Sequence, residues 1–442
     1  MSFNLINTDG KIPSKIKGVT VIPEYLEIQK LVEAKQPLIF VTGGAGTGKS
    51  TFIRWAMEEF KGKVLLGAPT AIAAINIGGK TLHSLCLLPP AWILPEDIKE
   101  LYRKTEVRKA KILIIDEISM VNPNMLDAVD EFFRLNRGID KPFGGLVTIM
   151  VGDLFQLPPV VTEDTQELFD QCYSSVNFYS ADCFEGQKLV TINLQKIFRQ
   201  TDNDFIDILL NLRKGENISE SISVLNRKCL ITDNPVKGVV RLSPRNAEVE
   251  RHNLNELKKI KSPEKVYNGN IKGIFKTKTF PSPMKLMLKV GAQVMFTQND
   301  PAENERRWVN GTVGIVTSLD NNSIKVEIIN SDMFDGEVEV QEVKWCNYNY
   351  TWNGVKSEIE RVEVGSFTQF PLQLAWAITI HKSQGKTIDL VHLDLGKGAF
   401  ATGQTYVALS RCPTMKGISL SRCIEDSEII VDREVKAFYD SI

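Results

Sequence analysis

The stretch Pro37-Leu38-Ile39-Phe40-Val41-Thr42-Gly43-Gly44-Ala45-Gly46-Thr47-Gly48-Lys49-Ser50 decides how this chain folds. Its first six residues form a short, nearly unbroken apolar run, the pattern of a buried strand. The next eight fit GxxxxGK[ST], and Thr51 to Phe60 continues with helical periodicity. A strand, a glycine-rich turn and a helix in that order make an anion cradle. The glycines let backbone N–H groups converge, and the helix start adds the positive end of its dipole. In such a cradle Lys49 reaches terminal phosphates and Ser50 can ligate Mg²⁺. Gly43, Gly44, Ala45, Gly46, Thr47, Gly48, Lys49, Ser50 and Thr51 are therefore the expected nucleotide-binding residues.

Outward from this point, further apolar runs occur at Val64 to Leu66, Ile112 to Ile115, Leu146 to Val151 and Leu189 to Asn193. The segments between them are long enough for crossover helices, which predicts a mostly parallel sheet covered on both faces. A second set at 238–242, Leu372 to Ile378 and Val391 to Leu393 predicts a second α/β sheet, with the seam between residues 180 and 205. Residues 290–370 differ: short strand candidates are joined by Asn, Asp and Gly turns, the pattern of an inserted antiparallel barrel. Residues 85–108, interrupted by Leu88-Pro89-Pro90 and Leu94-Pro95, read as a smaller insert.

At 442 residues the chain has room for several domains. Its 53 Lys and Arg against 54 Asp and Glu exclude a protein that grips nucleic acid through overall charge. The balance is uneven along the chain. Residues 111–170 hold 4 basic and 11 acidic side chains, whereas residues 245–300 hold 11 basic and 5 acidic. The seven Cys never form CxxC, and with four His they supply no spaced zinc cluster. No stretch approaches 18 uninterrupted apolar residues, and the start lacks the apolar core of a signal peptide, so no membrane association and a reducing compartment are expected.

Sixty-six residues beyond Ser50, the run Ile112-Leu113-Ile114-Ile115 ends in Asp116-Glu117. Paired carboxylates at the end of a buried strand are costly unless a metal or solvent site uses them. Asp116 is expected in the Mg²⁺ shell with Ser50, and Glu117 to orient and activate an attacking water. Gln156, in Gly152-Asp153-Leu154-Phe155-Gln156, is placed to bond a terminal phosphate or water, while Asp153 shapes the loop. Arg199 and Arg411 are candidates for the positive charge that phosphoryl transfer needs.

The ordered series of motifs resembles superfamily-one helicases of the petite-integration-frequency (Pif) group, which are similar to RecD-type enzymes running 5′ to 3′ on single-stranded DNA. Gly43 to Ser50 match motif I, Ala68 to Ala74 motif Ia, Asp116 to Met120 motif II and Gly152 to Pro159 motif III. Phe198-Arg199-Gln200 match motif IV, Ala377 to Thr387 motif V and Tyr406 to Arg411 motif VI. The likeness covers residues 20–415, and it is their order that is specific.

This resemblance implies two RecA-like P-loop NTPase domains. The first spans 1–180 and carries 85–108 as a wedge-side 1B insert; the second is built from 181–299 and 371–442. Residues 300–370 become a 2B barrel resembling a Src-homology-three fold. Gln29 is implied to read the adenine edge, and Gly385 joins the nucleotide set. Arg199 and Arg411 become γ-phosphate contacts, Arg411 being the better arginine-finger candidate, and Asp153 and Gln156 form a coupling loop. Thr70, His83, His381 and Ser383 become DNA-track contacts. Arg306 and Trp308 are offered as a grip in which Trp308 stacks on a base, with ordinary packing of Trp308 as the competing reading.

Implied partners are single-stranded DNA with a 5′ tail and forked duplex, with RNA–DNA hybrids and G-quadruplex DNA unranked. A protein monomeric without DNA is expected, in a cytoplasmic setting of bacterial or phage type with a nuclear one left open. A protein without the long tails of many eukaryotic relatives is expected, which weakens the case for organelle targeting or a specific telomeric partner. ATP binding closes the cleft between the two domains, hydrolysis releases it, and alternating grips advance the protein. Two other readings stay open: a translocase or RNA helicase that does not separate DNA strands efficiently, and an ATP-gated single-strand binding protein.

Overall fold

The structure, a computed structural model, describes residues 15–442 apart from 17–18, 71–72, 75–76, 102–104, 162, 201, 234, 236–238, 274–279, 299, 302–306, 309–311, 330–333, 335 and 354–357. The Leu38–Thr42 strand lies inside a six-stranded, wholly parallel sheet. Across that sheet the order is Lys80–Thr81, Val64–Ala68, Ile112–Ile115, Val147–Gly152, Leu38–Thr42 and Leu189–Asn193. Alternating side chains feed two separate cores. Leu38, Phe40, Leu113, Ile115 and Met150 face one, and Ile39, Val41, Ile112, Ile114, Ile149 and Val151 face the other. Burial on both faces explains the unbroken apolar runs.

The two neighbours of Leu38–Thr42 are the last two strands of this unit in sequence. Strand order therefore reverses there, and a crevice opens beyond the carboxyl ends of these strands, where parallel α/β sheets place their ligands. Gly43 follows one such end, Asp116 a second and Asp153 a third.

A second wholly parallel sheet has the order Ala377–Thr379, Val240–Ser243, Val391–Leu393, Ile418–Leu420 and Leu230–Ile231. The inserted part is an antiparallel sheet of Gly336–Val340, Ile324–Ile329, Val313–Leu319, Gln293–Phe296 and Leu372–Leu374. Beside it a long hairpin pairs Val343–Asn353 with Glu358–Gln369. Among the described residues no helix is long and apolar enough to cross a membrane.

Four boundaries differ from the sequence reading. Leu189–Asn193 pairs in register with Leu38–Thr42, so the first unit continues past residue 180. The apolar run from Leu372 to Ile378 is two strands rather than one: Leu372–Leu374 joins the antiparallel sheet and Ala377–Thr379 the second parallel one. The antiparallel unit also starts before residue 300, because the fully buried Gln293–Phe296 strand pairs on both sides within it.

The fourth difference is the C-terminal helix Arg433–Ser441, expected with the second unit. Asp432 caps it by accepting bonds from the backbone N–H of Glu434 at 2.8 Å and Val435 at 3.4 Å. Val435, Phe438 and Tyr439, spaced as one helical face, pack into the core of the first unit. Phe438 stacks on Tyr179 with ring centres 4.2 Å apart. The chain thus crosses between the parallel units and finally returns to the one it started from.

In the second sheet His392 is fully buried; its Nδ1 lies 3.0 Å from Ser419 Oγ, and among the described residues its Nε2 has no partner. Burial, reinforced by Arg241 and His252 against Asp394 and Asp233, pushes the imidazole down from 6.5 to about 4. The folded chain therefore binds fewer protons than the unfolded chain between these values. This contribution to stability is full above about pH 6.5 and is lost as pH falls towards 4. Urea midpoints measured at pH 7 and pH 5 should drop on acidification, and His392→Gln should reduce that drop; an unchanged drop would assign it to other groups.

Candidate active site

The phosphate-type loop has the backbone its glycines permit. Gly46 (φ 80°) and Gly48 (φ 86°) are left-handed, and Gly48 precedes the Lys49–Glu59 helix with no side-chain cap. The first N–H groups of that helix are thus left to an external acceptor. Thr47 Oγ1 bridges the turn by donating to Gly44 O at 2.9 Å. Lys49 Nζ donates to Gly43 O at 2.7 Å and Gly44 O at 2.9 Å, so its ammonium lies folded across the loop. Burial lowers its pKa, opposed by Asp153, Glu117 and Asp116. The loop also rests on the helix Pro23–Glu33, whose Tyr25 hydroxyl donates to Gly48 O at 3.2 Å. Gln29, one turn further, is buried and donates to Glu33 at 3.2 Å.

Asp116 is 7% exposed, and burial together with the adjacent Glu117 carboxylate pushes its pKa up to about 8. A buried carboxylate under like-charge repulsion is a fitting ligand for a cation. Among the described residues no three His, Cys, Asp or Glu side chains cluster as a protein-only metal cage. A Mg²⁺ site completed by Ser50 and nucleotide phosphates does not need one. Glu117 itself sits in left-handed backbone (φ 49°, ψ 45°), an uncommon conformation for a non-glycine residue and frequent at functional sites.

Groups from the far side of the seam close this loop. Ala45 N–H donates to the Tyr406 hydroxyl at 2.7 Å. Gln384, in the turn after Ala377–Thr379, donates to Glu117 Oε2 at 3.2 Å. Phe198 N–H donates to Gly46 O at 2.8 Å, while Arg199 and Gln200 both donate to Ser410 O, at 3.2 Å and 3.3 Å. Among the described residues, buried Gln200 Oε1 and Gln384 Oε1 have no hydrogen-bond partner, as expected of groups that complete their bonding with a ligand or water.

Arg411 is 2% exposed and held by backbone carbonyls: its Nε donates to Val407 O at 2.9 Å and its Nη1 to Lys386 O at 3.3 Å. Burial and the neighbouring Arg199 guanidinium push it down to about 10. Burial likewise lowers the pKa of Arg199. Among the described residues neither makes an ion pair, and an anion entering beside them would relieve both costs.

Asp153, fully buried, anchors the seam. It accepts from Arg213 Nε at 3.0 Å and Nη2 at 2.9 Å, from Gln156 Nε2 at 3.3 Å and from Tyr406 Oη at 3.3 Å. Burial would raise its pKa, but Arg213 and Lys49 overcome that and lower it. The second unit sits tightly on this loop: a Cβ on Gly403 would clash with Phe155 O and come within 2.7 Å of Gln156 O.

The fold therefore gathers Gly43 to Ser50, Asp116, Glu117, Asp153, Gln156, Arg199 and Arg411 around one crevice. Thr51 lies in the first turn of the loop helix, and Gly385, at φ 78°, follows Gln384. Thr70 and His83 lie apart in the first unit, lining a cavity of about 390 Å³ with Trp92, Met120 and Phe169. His381 is half-buried, and its pKa is lowered by burial. Two expectations are corrected. Ser383 is fully buried and donates to Ile380 O at 2.7 Å, so it shapes the turn that aims Gln384 and is closed to a DNA backbone. Trp308 is 3% exposed, stacked on Phe296 at 4.7 Å and covered by Arg307 at 4.5 Å, so its ring is core and not a surface for a base. Arg306 lies outside the described residues.

Arg213, Gln200, Gln384, Tyr406 and Tyr439 were not singled out from the sequence. Gln200, Gln384 and Tyr406 stand within quoted motifs, which was the one signal available.

Residues 24–222 match the PIF1-like helicase family. The chain is 36% identical over 415 residues to the ATP-dependent DNA helicase Pif1 of Bdellovibrio bacteriovorus, across 91% of this chain and 88% of that one. The crystal structure of a Bacteroides Pif1 helicase in complex with ADP-AlF3 and ssDNA superposes with a TM-score of 0.81 at 37% identity, over 95% of this chain and 96% of that one. The unliganded Pif1 from Bacteroides sp, at the same identity and coverage, gives 0.68.

At Gly46 a Cβ would clash with Gln200 Oε1 and approach Arg199 Cβ to 2.8 Å, in backbone that disfavours any side chain. Gly46→Ala should therefore push the Phe198–Gln200 segment off the loop and weaken a fluorescent ATP analogue by at least about tenfold in a titration. Unchanged affinity would show that this contact is irrelevant to the nucleotide.

Proposed function

Because the chain belongs to the PIF1-like helicase family, we propose that it is an ATP-driven helicase that moves 5′ to 3′ on single-stranded DNA and separates the duplex ahead. The observation that carries this reading is the phosphate loop on one parallel unit closed by Tyr406, Gln384 and the Arg199–Arg411 pair associated with the other. A nucleotide held there touches both units, so its arrival and cleavage alter how they fit together.

In this reading the two parallel units are RecA-like motor domains. The antiparallel part is a Src-homology-three-like 2B domain, and residues 85–108 form the wedge-side element. Incoming phosphates replace the loop carbonyls as partners of Lys49 and displace the Tyr406 hydroxyl from Ala45 N–H. Mg²⁺ held by Ser50 and Asp116 would supply charge neutralisation at the phosphates. Glu117, with its carboxylate held by Gln384, orients the attacking water and takes its proton. Arg199 and Arg411 stabilise the charge spread over the transferring group. Gln156 reports loss of the terminal phosphate to Asp153, and through Arg213 and Tyr406 to the other unit.

The single strand is held through backbone and stacking contacts, with Thr70 and His83 on the first unit and His381 on the second. Its similarity to a nucleotide- and ssDNA-bound relative, greater than to an unliganded one, supports a closed, strand-gripping arrangement. Forked DNA is a proposed duplex substrate. RNA–DNA hybrids and G-quadruplexes are further proposed substrates, and the DNA-free protein is proposed to be a monomer.

The test is strand separation on duplexes with a 5′ or a 3′ tail. Unwinding is expected only from the 5′ tail and only with ATP and Mg²⁺. Glu117→Gln should reduce it at least about a hundredfold while single-strand binding persists. Hydrolysis stimulated by DNA without separation would reduce the protein to a translocase, and no stimulation by DNA would overturn the helicase reading.

A further inference from the structure

The C-terminal helix returns to the first unit with one residue placed at the root of the active site. Tyr439 Oη lies 2.6 Å from Thr42 Oγ1, the last residue of the strand that feeds the phosphate loop. The same oxygen accepts from Leu154 N–H at 3.3 Å, within the loop that carries Asp153 and Gln156. Thr42 is paired with Gly152 across adjacent strands, so one hydroxyl ties together the carboxyl ends of both strands just where their loops depart.

The ring is as constrained as the hydroxyl. It stacks on Phe155 with centres 4.8 Å apart and planes 9° from parallel, and the Arg213 guanidinium lies 4.8 Å from the Phe155 ring and 5.5 Å from that of Tyr439. Arg213 is the residue that pairs with Asp153. Tyr439 therefore touches the exit of the phosphate-loop strand, the backbone and aromatic ring of the Asp153–Gln156 loop, and the cation that joins that loop to the helix Asn203–Lys214. A helix needed only to cover the first core would be served by Val435 and Phe438. A hydroxyl buried between two loop roots adds nothing to that cover and fixes one loop relative to the other.

We propose that Tyr439 is a positioning residue for ATP hydrolysis: its hydroxyl and ring hold the Asp153–Gln156 loop in register with the phosphate loop, so that cleavage of ATP is transmitted to the second parallel unit through Arg213. This rests on the reading of the crevice as the ATP site of a helicase. Tyr439 acts through Thr42, Leu154, Phe155 and Arg213. Removing the hydroxyl while keeping the ring leaves nucleotide binding in place and loosens the loop that must respond to it.

Tyr439→Phe keeps the stack on Phe155 and the packing of the helix, and loses both hydrogen bonds. In DNA-stimulated hydrolysis of ATP it should lower kcat about fivefold to tenfold, the size expected for one or two neutral hydrogen bonds, with KM for ATP within about twofold of wild type. Single-stranded DNA affinity without nucleotide should be unchanged, while the change in that affinity produced by a non-hydrolysable ATP analogue should shrink. Tyr439→Leu, which also removes the stack, should lose more of both. A Tyr439→Phe protein with wild-type kcat and wild-type nucleotide-linked DNA affinity overturns the proposal, as does a raised KM at unchanged kcat. If wild-type protein shows no stimulation of hydrolysis by DNA, the functional reading fails and this inference fails with it. A wild-type response preserved in Tyr439→Phe removes the inference alone.

Discussion

The structure turns on the buried ion pair between Asp153 and Arg213. Neither side chain reaches solvent to a meaningful degree, at 0% and 8% side-chain exposure. Desolvating two charges costs as much as their attraction returns, so such a pair is a poor source of stability, but removing one partner alone costs about 3–5 kcal/mol. What it supplies is position. Asp153 accepts side-chain bonds from Arg213, Gln156 and Tyr406, and those three come from the helix after the first sheet, the Asp153–Gln156 loop itself and the second unit. Separation of the units exposes the carboxylate to an incomplete set of partners.

Around that pair the crevice concentrates costs that a polyphosphate can relieve. Burial and Arg199 lower the pKa of Arg411, burial and Glu117 raise that of Asp116, and Lys49 falls back on loop carbonyls. Each group is short of an opposite charge or a proper partner. In the proposed reading a nucleotide with a divalent cation would answer all of them together: phosphate oxygens for the cations, the metal for Asp116. On that proposal binding energy would come from both units at once, which would couple closure of the crevice to its occupant.

How much of this was legible in the sequence follows from chain distance. The phosphate loop is contiguous, and the strand, the glycines and the helix that build it stand within a few residues of one another. Asp116 and Glu117 were readable because two carboxylates end an apolar strand. The seam was not, because its contacts join residues 60 positions apart at Arg213–Asp153, 253 at Tyr406–Asp153, 267 at Gln384–Glu117 and 397 at Tyr439–Thr42. The C-terminal helix escaped for a related reason: nine residues form a marginal helix alone, and this one exists by packing on a core laid down far earlier in the chain. Trp308 shows the opposite error. An aromatic beside arginines resembles a base-stacking surface, yet Arg307 is held by Asp300 at 2.7 Å and lies over the Trp308 ring, whose stacking partner is Phe296. The pattern is satisfied inside the fold.

The central claim, that nucleotide binding sets the fit of the two parallel units, is open to direct measurement. Cys172 on the first unit and Cys423 on the second are exposed, whereas Cys86, Cys183, Cys229 and Cys412 are buried. With Cys346→Ser to remove the remaining thiol, these two positions take a donor and an acceptor dye. Energy transfer followed with single-stranded DNA present should shift when a non-hydrolysable ATP analogue binds and shift again with ADP, and Arg411→Ala should suppress the first change. Equal transfer in the nucleotide-free, analogue-bound and ADP-bound protein would contradict the account.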